Sequence, residues 1–102
     1  MSQTIRDIQV ASEWINAMDA VNALAADDGI PTIDSATQDV VINNKSDGEL
    51  LVAFAATMPD NEDDRGETLK RFEKLVVSSE PLIWIKRFNT NETVNVHIGL
   101  EG

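Results

Sequence analysis

Cysteine is absent from this chain of 102 residues. Without thiols the protein cannot form disulfides, thiolate nucleophiles, zinc–thiolate sites or iron–sulfur clusters. Histidine occurs once, as His97, so no second imidazole can complete a metal-binding pair, and no spacing marks partners for a Ser-His-Asp arrangement. The lack of cysteine is compatible with a reducing compartment.

Long apolar runs and glycine-rich segments are also missing. No stretch approaches the roughly 20 apolar residues that a membrane-spanning helix requires. Residues 1–9 lack the basic segment followed by an apolar run that is typical of a signal peptide. The glycines are isolated from one another, so no phosphate-binding loop is indicated. From these absences we expect a cytoplasmic protein.

The composition is that of a folded protein with a strong excess of acid. Apolar residues make up 42% and charged residues 25% of the chain, which predicts a single compact domain over residues 1–102. The net charge is -10, and residues 1–67 alone hold 14 acidic and 3 basic side chains. Such a field repels nucleic acid and anionic membranes and attracts basic partners. We therefore expect a basic protein surface as the partner.

The densest run of charge lies in residues 60–67. Its carboxylates are the candidate partner-binding residues, with two aspartates from the end of the first helix as extensions of the same surface: Asp60, Glu62, Asp63, Asp64, Glu67, Asp27 and Asp28. The alternation of acids resembles the start of a calcium-binding EF-hand loop. Gly66 comes one position too late for that loop, and Arg71 stands where the closing glutamate is required. We predict no metal and no cofactor.

Two segments have apolar residues at helical spacing. The first predicts a helix from Thr4 to Ala26, whose buried stripe contains Val10, Trp14, Ala17, Met18, Val21, Leu24 and Ala25. Gly29 and Pro31 end that helix, since glycine adopts a left-handed cap and proline cannot continue it. The second predicts a helix over Leu69–Val76 with Phe72 in the core, capped by Asp64 and Glu67.

Four segments have strand patterns, with turns through residues 43–48 and 89–92. They are Val40–Ile42, Leu50–Ala56, Leu82–Phe88 and Thr93–Leu100. The order helix, hairpin, helix, hairpin predicts an α+β fold in which two helices pack on a four-stranded, mainly antiparallel sheet. The expected core is Trp14, Met18, Val21, Phe72, Val94, Val96 and Ile98. His97 is expected on the solvent side of its strand.

Two of the predicted strands, Leu50–Ala56 and Leu82–Phe88, are apolar on both faces, which a half-exposed sheet does not require. Either the two helices cover opposite faces, or a second chain closes one of them. Two helices of unequal length cover little area, so the pattern favours a homodimer. Its candidate interface residues are Leu82, Trp84 and Phe88.

Two functional classes follow from these features. The first is a small acidic inhibitor or adaptor that imitates the phosphate charge expected by a nucleic-acid-binding target, which is the general character of phage-encoded DNA mimics and anti-CRISPR proteins. No sequence motif is shared with those proteins, so the comparison is one of type alone. The second is an assembly component or secretion-type chaperone that binds through the apolar sheet. An enzyme ranks third, because no catalytic arrangement of residues stands out, and we expect none.

Overall fold

The chain folds into two antiparallel sheets and one short helix. The computed structural model describes residues 5–80, 82–88 and 90–100. In chain order the elements are β1 (Ile8–Val10), β2 (Ile15–Asn16), α1 (Ala17–Asp27), β3 (Val40–Asn44), β4 (Glu49–Phe54), β5 (Glu67–Leu69), β6 (Lys74–Val77), β7 (Ile83–Phe88) and β8 (Val94–Leu100). The strand order is β1-β8-β3-β6 in the first sheet and β2-β7-β4-β5 in the second.

The expected α+β arrangement is therefore wrong. In the residues that the structure describes, one short helix and eight strands make a mostly β structure with two four-stranded sheets, whereas we predicted two helices on one sheet. The two sheets share one hydrophobic core. Val94, Val96 and Ile98 of β8 enter it from the first sheet, and Ile83 and Ile85 of β7 enter it from the second. One side of helix α1 packs into the same cluster. Its buried residues are Ala17, Met18, Val21 and Ala25.

The predicted first helix is wrong over its first half. Residue 4 lies outside the described part of the chain, and the helix begins only at Ala17, where the Asn16 side chain accepts a hydrogen bond from the Asp19 backbone N–H at 3.1 Å. Ile8 and Val10 instead pair with β8, and Ile15 pairs with β7. Branched side chains at Cβ suit these strand positions. The predicted end of the helix is confirmed, because Gly29 follows it with a φ of +69°.

The predicted second helix does not exist. Residues 67–69 and 74–77 form the edge strands β5 and β6, which belong to different sheets. Leu75, Val76 and Val77 pair with β3, where β-branched residues are favoured. Phe72 lies in the turn between the strands and is 62% exposed, so its placement in the core was wrong. Asp64 and Glu67 consequently cap no helix.

The other strand and core predictions are confirmed. The four predicted strands correspond to β3, β4, β7 and β8, with ends that differ by at most two residues. Buried and accessible positions alternate along β8, as the sequence indicated. The remaining six predicted core residues are buried: Trp14, Met18, Val21, Val94, Val96 and Ile98.

Candidate functional site

The acidic loop, residues 60–67, lies against the outer face of the second sheet. That face carries a second buried cluster made of Trp14, Leu51 and Ala53, with Trp84 and Phe88 packed against it. Strands β4 and β7 are thus apolar on both sides because one side faces the shared core and the other faces this smaller cluster. Trp14 and Lys86 connect the cluster to the acidic loop through hydrogen bonds.

Lys86 is the centre of these contacts. It lies on β7, and only 4% of its surface is exposed. Its Nζ donates to the carbonyl oxygens of Asn61 at 2.6 Å and Asp63 at 3.3 Å, and to Oδ1 of Asp64 at 2.7 Å. A buried ammonium group is tolerated only when its hydrogens find such acceptors. The loop therefore supplies the solvation that Lys86 loses on folding.

Trp14 holds the same loop from a neighbouring position. Its indole N–H is within hydrogen-bond distance of the carbonyl oxygens of Asp60, at 3.0 Å, and Asp63, at 3.2 Å. Its backbone N–H donates to Oδ1 of Asn61 at 3.0 Å. Tryptophan is suited to this place because its ring buries apolar area while its N–H reaches a polar partner. Together Trp14 and Lys86 fix the backbone of residues 60–64.

The end of the loop is fixed by Asp63, Arg65 and Gly66. Arg65 Nε donates to Oδ2 of Asp63 at 2.7 Å, and this hydrogen bond lowers the pKa of the Asp63 carboxyl below its ordinary value. Gly66 has a φ of +105° and lies so close to β4 that a Cβ would stand 2.2 Å from the Val52 carbonyl oxygen. Only glycine fits both the conformation and the space.

Three carboxylates of the loop remain directed to solvent. Asp60, Glu62 and Glu67 are exposed, and among the described residues none of them forms an ion pair within 4 Å. The charge of Asp60 contributes to raising the pKa of Arg65, behind the larger effect of Asp63. Asp63 and Asp64 differ from these three because each has a basic partner, although the Asp64 side chain is still 54% exposed. The five predicted loop residues thus separate into an outward group and an anchoring group.

Asp27 and Asp28 lie elsewhere, at the C-terminal end of α1. Arg6 pairs with both, at 3.9 Å to Asp27 and 2.8 Å to Asp28. In the described part of the chain no hydrogen bond or ion pair connects these aspartates to the acidic loop. Their pairing with Arg6 also reduces the unfavourable effect of acids at the negative end of a helix. That they extend the surface of the loop stays a prediction.

The predicted dimer residues Leu82, Trp84 and Phe88 are half-buried. The indole N–H of Trp84 donates to the carbonyl oxygen of Ala55 at 3.0 Å. The segment that follows β4 therefore contacts this face of the sheet from within the same chain.

Within residues 5–80, 82–88 and 90–100, no group of three or more histidine or acidic side chains is placed to hold a metal ion. In the same residues, no helix has the length and apolar character needed to cross a membrane. His97 is half-buried on the outer side of β8, and its ring lies over Gly99, where a Cβ would stand 3.1 Å from Cε1.

Lys86 is the residue that the sequence analysis missed, because a lysine within a strand is normally expected at the surface. One signal could have identified it. Position 86 shares a strand face with Trp84 and Phe88, and a lysine between two aromatic residues of one face needs an acceptor above it. The densest source of such acceptors in the sequence is the acidic run of residues 60–67.

Comparison with known proteins finds no match for this chain among family models, curated proteins or solved structures.

Proposed function

We propose that this protein is a non-enzymatic binding module whose acidic loop occupies a basic surface of a target protein. The observation that carries the proposal is that the main chain of the loop is anchored while three of its carboxylates are exposed. Lys86 and Trp14 hold its backbone, while Asp60, Glu62 and Glu67 point to solvent as a fixed negative surface. A surface that is already ordered loses little conformational entropy when it binds.

The target that fits this surface best is a nucleic-acid-binding protein. Such proteins carry lysine and arginine clusters that neutralise phosphates, and a rigid row of carboxylates can compete for the same clusters. With a net charge of -10, the chain also steers basic partners toward it over about a Debye length, near 8 Å at physiological salt. An inhibitor that works by imitating DNA charge, of the type that phages encode, has these properties. We place its action in the cytoplasm, since a chain without cysteine suits a reducing compartment.

The experiment compares two variants with the same change in charge. Asp60→Asn/Glu62→Gln removes two outward carboxylates of the loop, and Asp19→Asn/Glu92→Gln removes two exposed carboxylates elsewhere. Partners are captured from a cell lysate at low salt, identified by mass spectrometry, and purified for kinetic measurements. The loop variant should associate on the order of 10-fold more slowly, as expected when steering charges are lost. The control variant should associate nearly as fast as the parent.

Salt separates this proposal from binding through the apolar sheet. A charge-driven contact weakens as ionic strength rises, whereas an apolar contact is insensitive to salt or becomes stronger. If the loop variant binds as fast and as tightly as the parent at low salt, the charge-mimic proposal is wrong. The face that contains Trp84 and Phe88 then becomes the leading candidate.

A further inference from the structure

The turn between β5 and β6 holds an aromatic side chain in solvent. In this turn, which we call the basic tip and define as residues 70–74, the Glu73 N–H donates to the Lys70 carbonyl oxygen at 3.0 Å. Phe72 occupies the third turn position with a φ of +62°, where glycine or asparagine is normally required. A left-handed conformation is unfavourable for a residue with a Cβ. Phe72 thus combines a strained backbone with the highest exposure of any large apolar residue in the described part of the chain.

The position of Phe72 is fixed from three sides. Its backbone N–H donates to the carbonyl oxygen of Asn44 at 2.6 Å, and Oε1 of Glu73 accepts the Lys70 N–H at 2.6 Å. The Arg71 guanidinium lies 4.7 Å from the centroid of the Phe72 ring and pairs with Asp47 at 2.6 Å. The ring is 62% exposed although its surroundings are ordered. Strain of this kind is common where a residue is held ready for a contact.

The charge around Phe72 indicates which surface the tip fits. Lys70 and Lys74 are exposed and, among the described residues, form no ion pair. A complementary surface has carboxylates beside an apolar contact. The same chain provides one, because Asp60, Asn61, Glu62 and Asp63 line an open depression and the neighbouring Met58 is 52% exposed.

We propose that the basic tip of one copy docks on the acidic loop of a second copy, with Phe72 against Met58 and the depression. This proposal rests on the acidic loop being a binding surface, as in the proposed function. We take this contact as heterologous, so that every open assembly keeps a free tip at one end and a free loop at the other. The protein therefore forms chains or rings that grow with concentration and weaken with salt.

The test alters the basic tip and the acidic loop in separate variants and needs no other protein. Lys70→Glu/Lys74→Glu reverses the charge of the tip, and Asp60→Lys/Glu62→Lys reverses that of the loop. In sedimentation velocity at low salt the parent should form species larger than a dimer. Each variant alone should be a monomer, since like charges face each other in every possible contact. An equimolar mixture should associate again, because the unchanged tip of one variant meets the unchanged loop of the other and the two reversed patches are also opposite in charge.

Phe72→Gly tests the ring and removes the strain at the same time. Its dissociation constant for self-association should rise at least about 10-fold, which corresponds to roughly 1.4 kcal/mol. Its melting temperature should not fall, so a loss of association cannot be attributed to unfolding.

Three results would overturn the proposal. They are a parent protein that is monomeric at high micromolar concentration, blocked variants that still associate alone, and a mixture that stays monomeric. Association that persists in both blocked variants would instead indicate a symmetric contact, for example through Trp84. A monomeric parent that nevertheless binds a basic partner through Asp60 and Glu62 would refute self-association and leave the proposed function intact.

Discussion

The ammonium group of Lys86 lies 5.1 Å from the centroid of the Trp14 ring. Both residues are nearly inaccessible, with 4% and 3% of their surfaces exposed. A cation over an indole ring contributes about 2 kcal/mol when the pair is shielded from water. The two side chains that anchor the acidic loop therefore also stabilise each other.

Replacing Lys86 by methionine should destabilise the protein by about 1.5–3 kcal/mol, the usual contribution of a hydrogen bond to a charged group. The carbonyl oxygens of Asn61 and Asp63 lose their common donor, whereas the Asp64 side chain, 54% exposed, can turn to water. Urea denaturation measures the change. Lys70→Met, at an exposed lysine, is the control and should remain within about 0.5 kcal/mol of the parent. Equal midpoints for the two variants would contradict the role of Lys86.

Trp14→Phe should separate the hydrogen bonds of Trp14 from its packing. Phenylalanine keeps an aromatic ring in the cluster but leaves the carbonyl oxygen of Asp60 without its indole donor, at a cost of roughly 1–3 kcal/mol. Trp14→Ala also leaves a cavity and should cost roughly 3–5 kcal/mol. Hydrogen exchange of residues 60–64 should accelerate in Trp14→Phe. Unchanged exchange there would show that the indole N–H does not hold the loop.

Gly66→Ala should be far more harmful than Gly29→Ala. Both glycines have positive φ, but a Cβ at position 66 would stand 2.2 Å from the Val52 carbonyl oxygen, whereas nothing lies within 4 Å of a Cβ at position 29. Gly29→Ala should cost only the left-handed conformation, about 1–2 kcal/mol. Thermal melting of the two variants makes the comparison. Similar decreases in melting temperature for the two variants would mean that the loop moves away from β4 at little cost in stability.

Asp63 should make the free energy of unfolding decrease as the pH falls into the acid range. Its pKa in the folded protein is lowered from the ordinary value of 3.8, so the unfolded state binds more protons and stability rises with pH in this range. The contribution of Asp63 is fully present above pH 3.8 and is lost as the pH falls through the lowered pKa. Asp63→Asn should reduce the acid-induced fall in the urea midpoint. Arg65→Gln removes the partner of Asp63 and should have the same effect. If the urea midpoint of both variants falls with acid as much as that of the parent, the role of this pair is contradicted.

Strands whose alternation is regular could be predicted from the sequence. In β8, Val94, Val96 and Ile98 alternate with polar or small residues, and that pattern has only one interpretation. Residues 5–16 were misread as helix because Val10, Trp14 and Met18 happen to repeat every four positions. In the structure Val10 faces the shared core and Trp14 belongs to the outer cluster, so their spacing never reflected one surface.

The exposed acids of the site could be predicted from the sequence, but the residues that anchor them could not. A run of carboxylates is visible in any sequence, so the exposure of Asp60 and Glu62 followed from their chemistry. The anchoring of the run depends on Trp14 and Lys86, which are more than 20 residues away from the acids that they contact. Trp14 directly precedes β2, which pairs with β7 and has only two residues. So short a strand has no detectable period.

The loop is held largely by its main chain. Of the six hydrogen bonds that Trp14 and Lys86 make to it, four end on carbonyl oxygens and only two on side chains, those of Asn61 and Asp64. Every residue type offers the same carbonyl group. Positions 60 and 62 can therefore change identity while the loop keeps its shape. Natural variation or engineered libraries at these positions could give the same scaffold new binding specificities without requiring any change in its core.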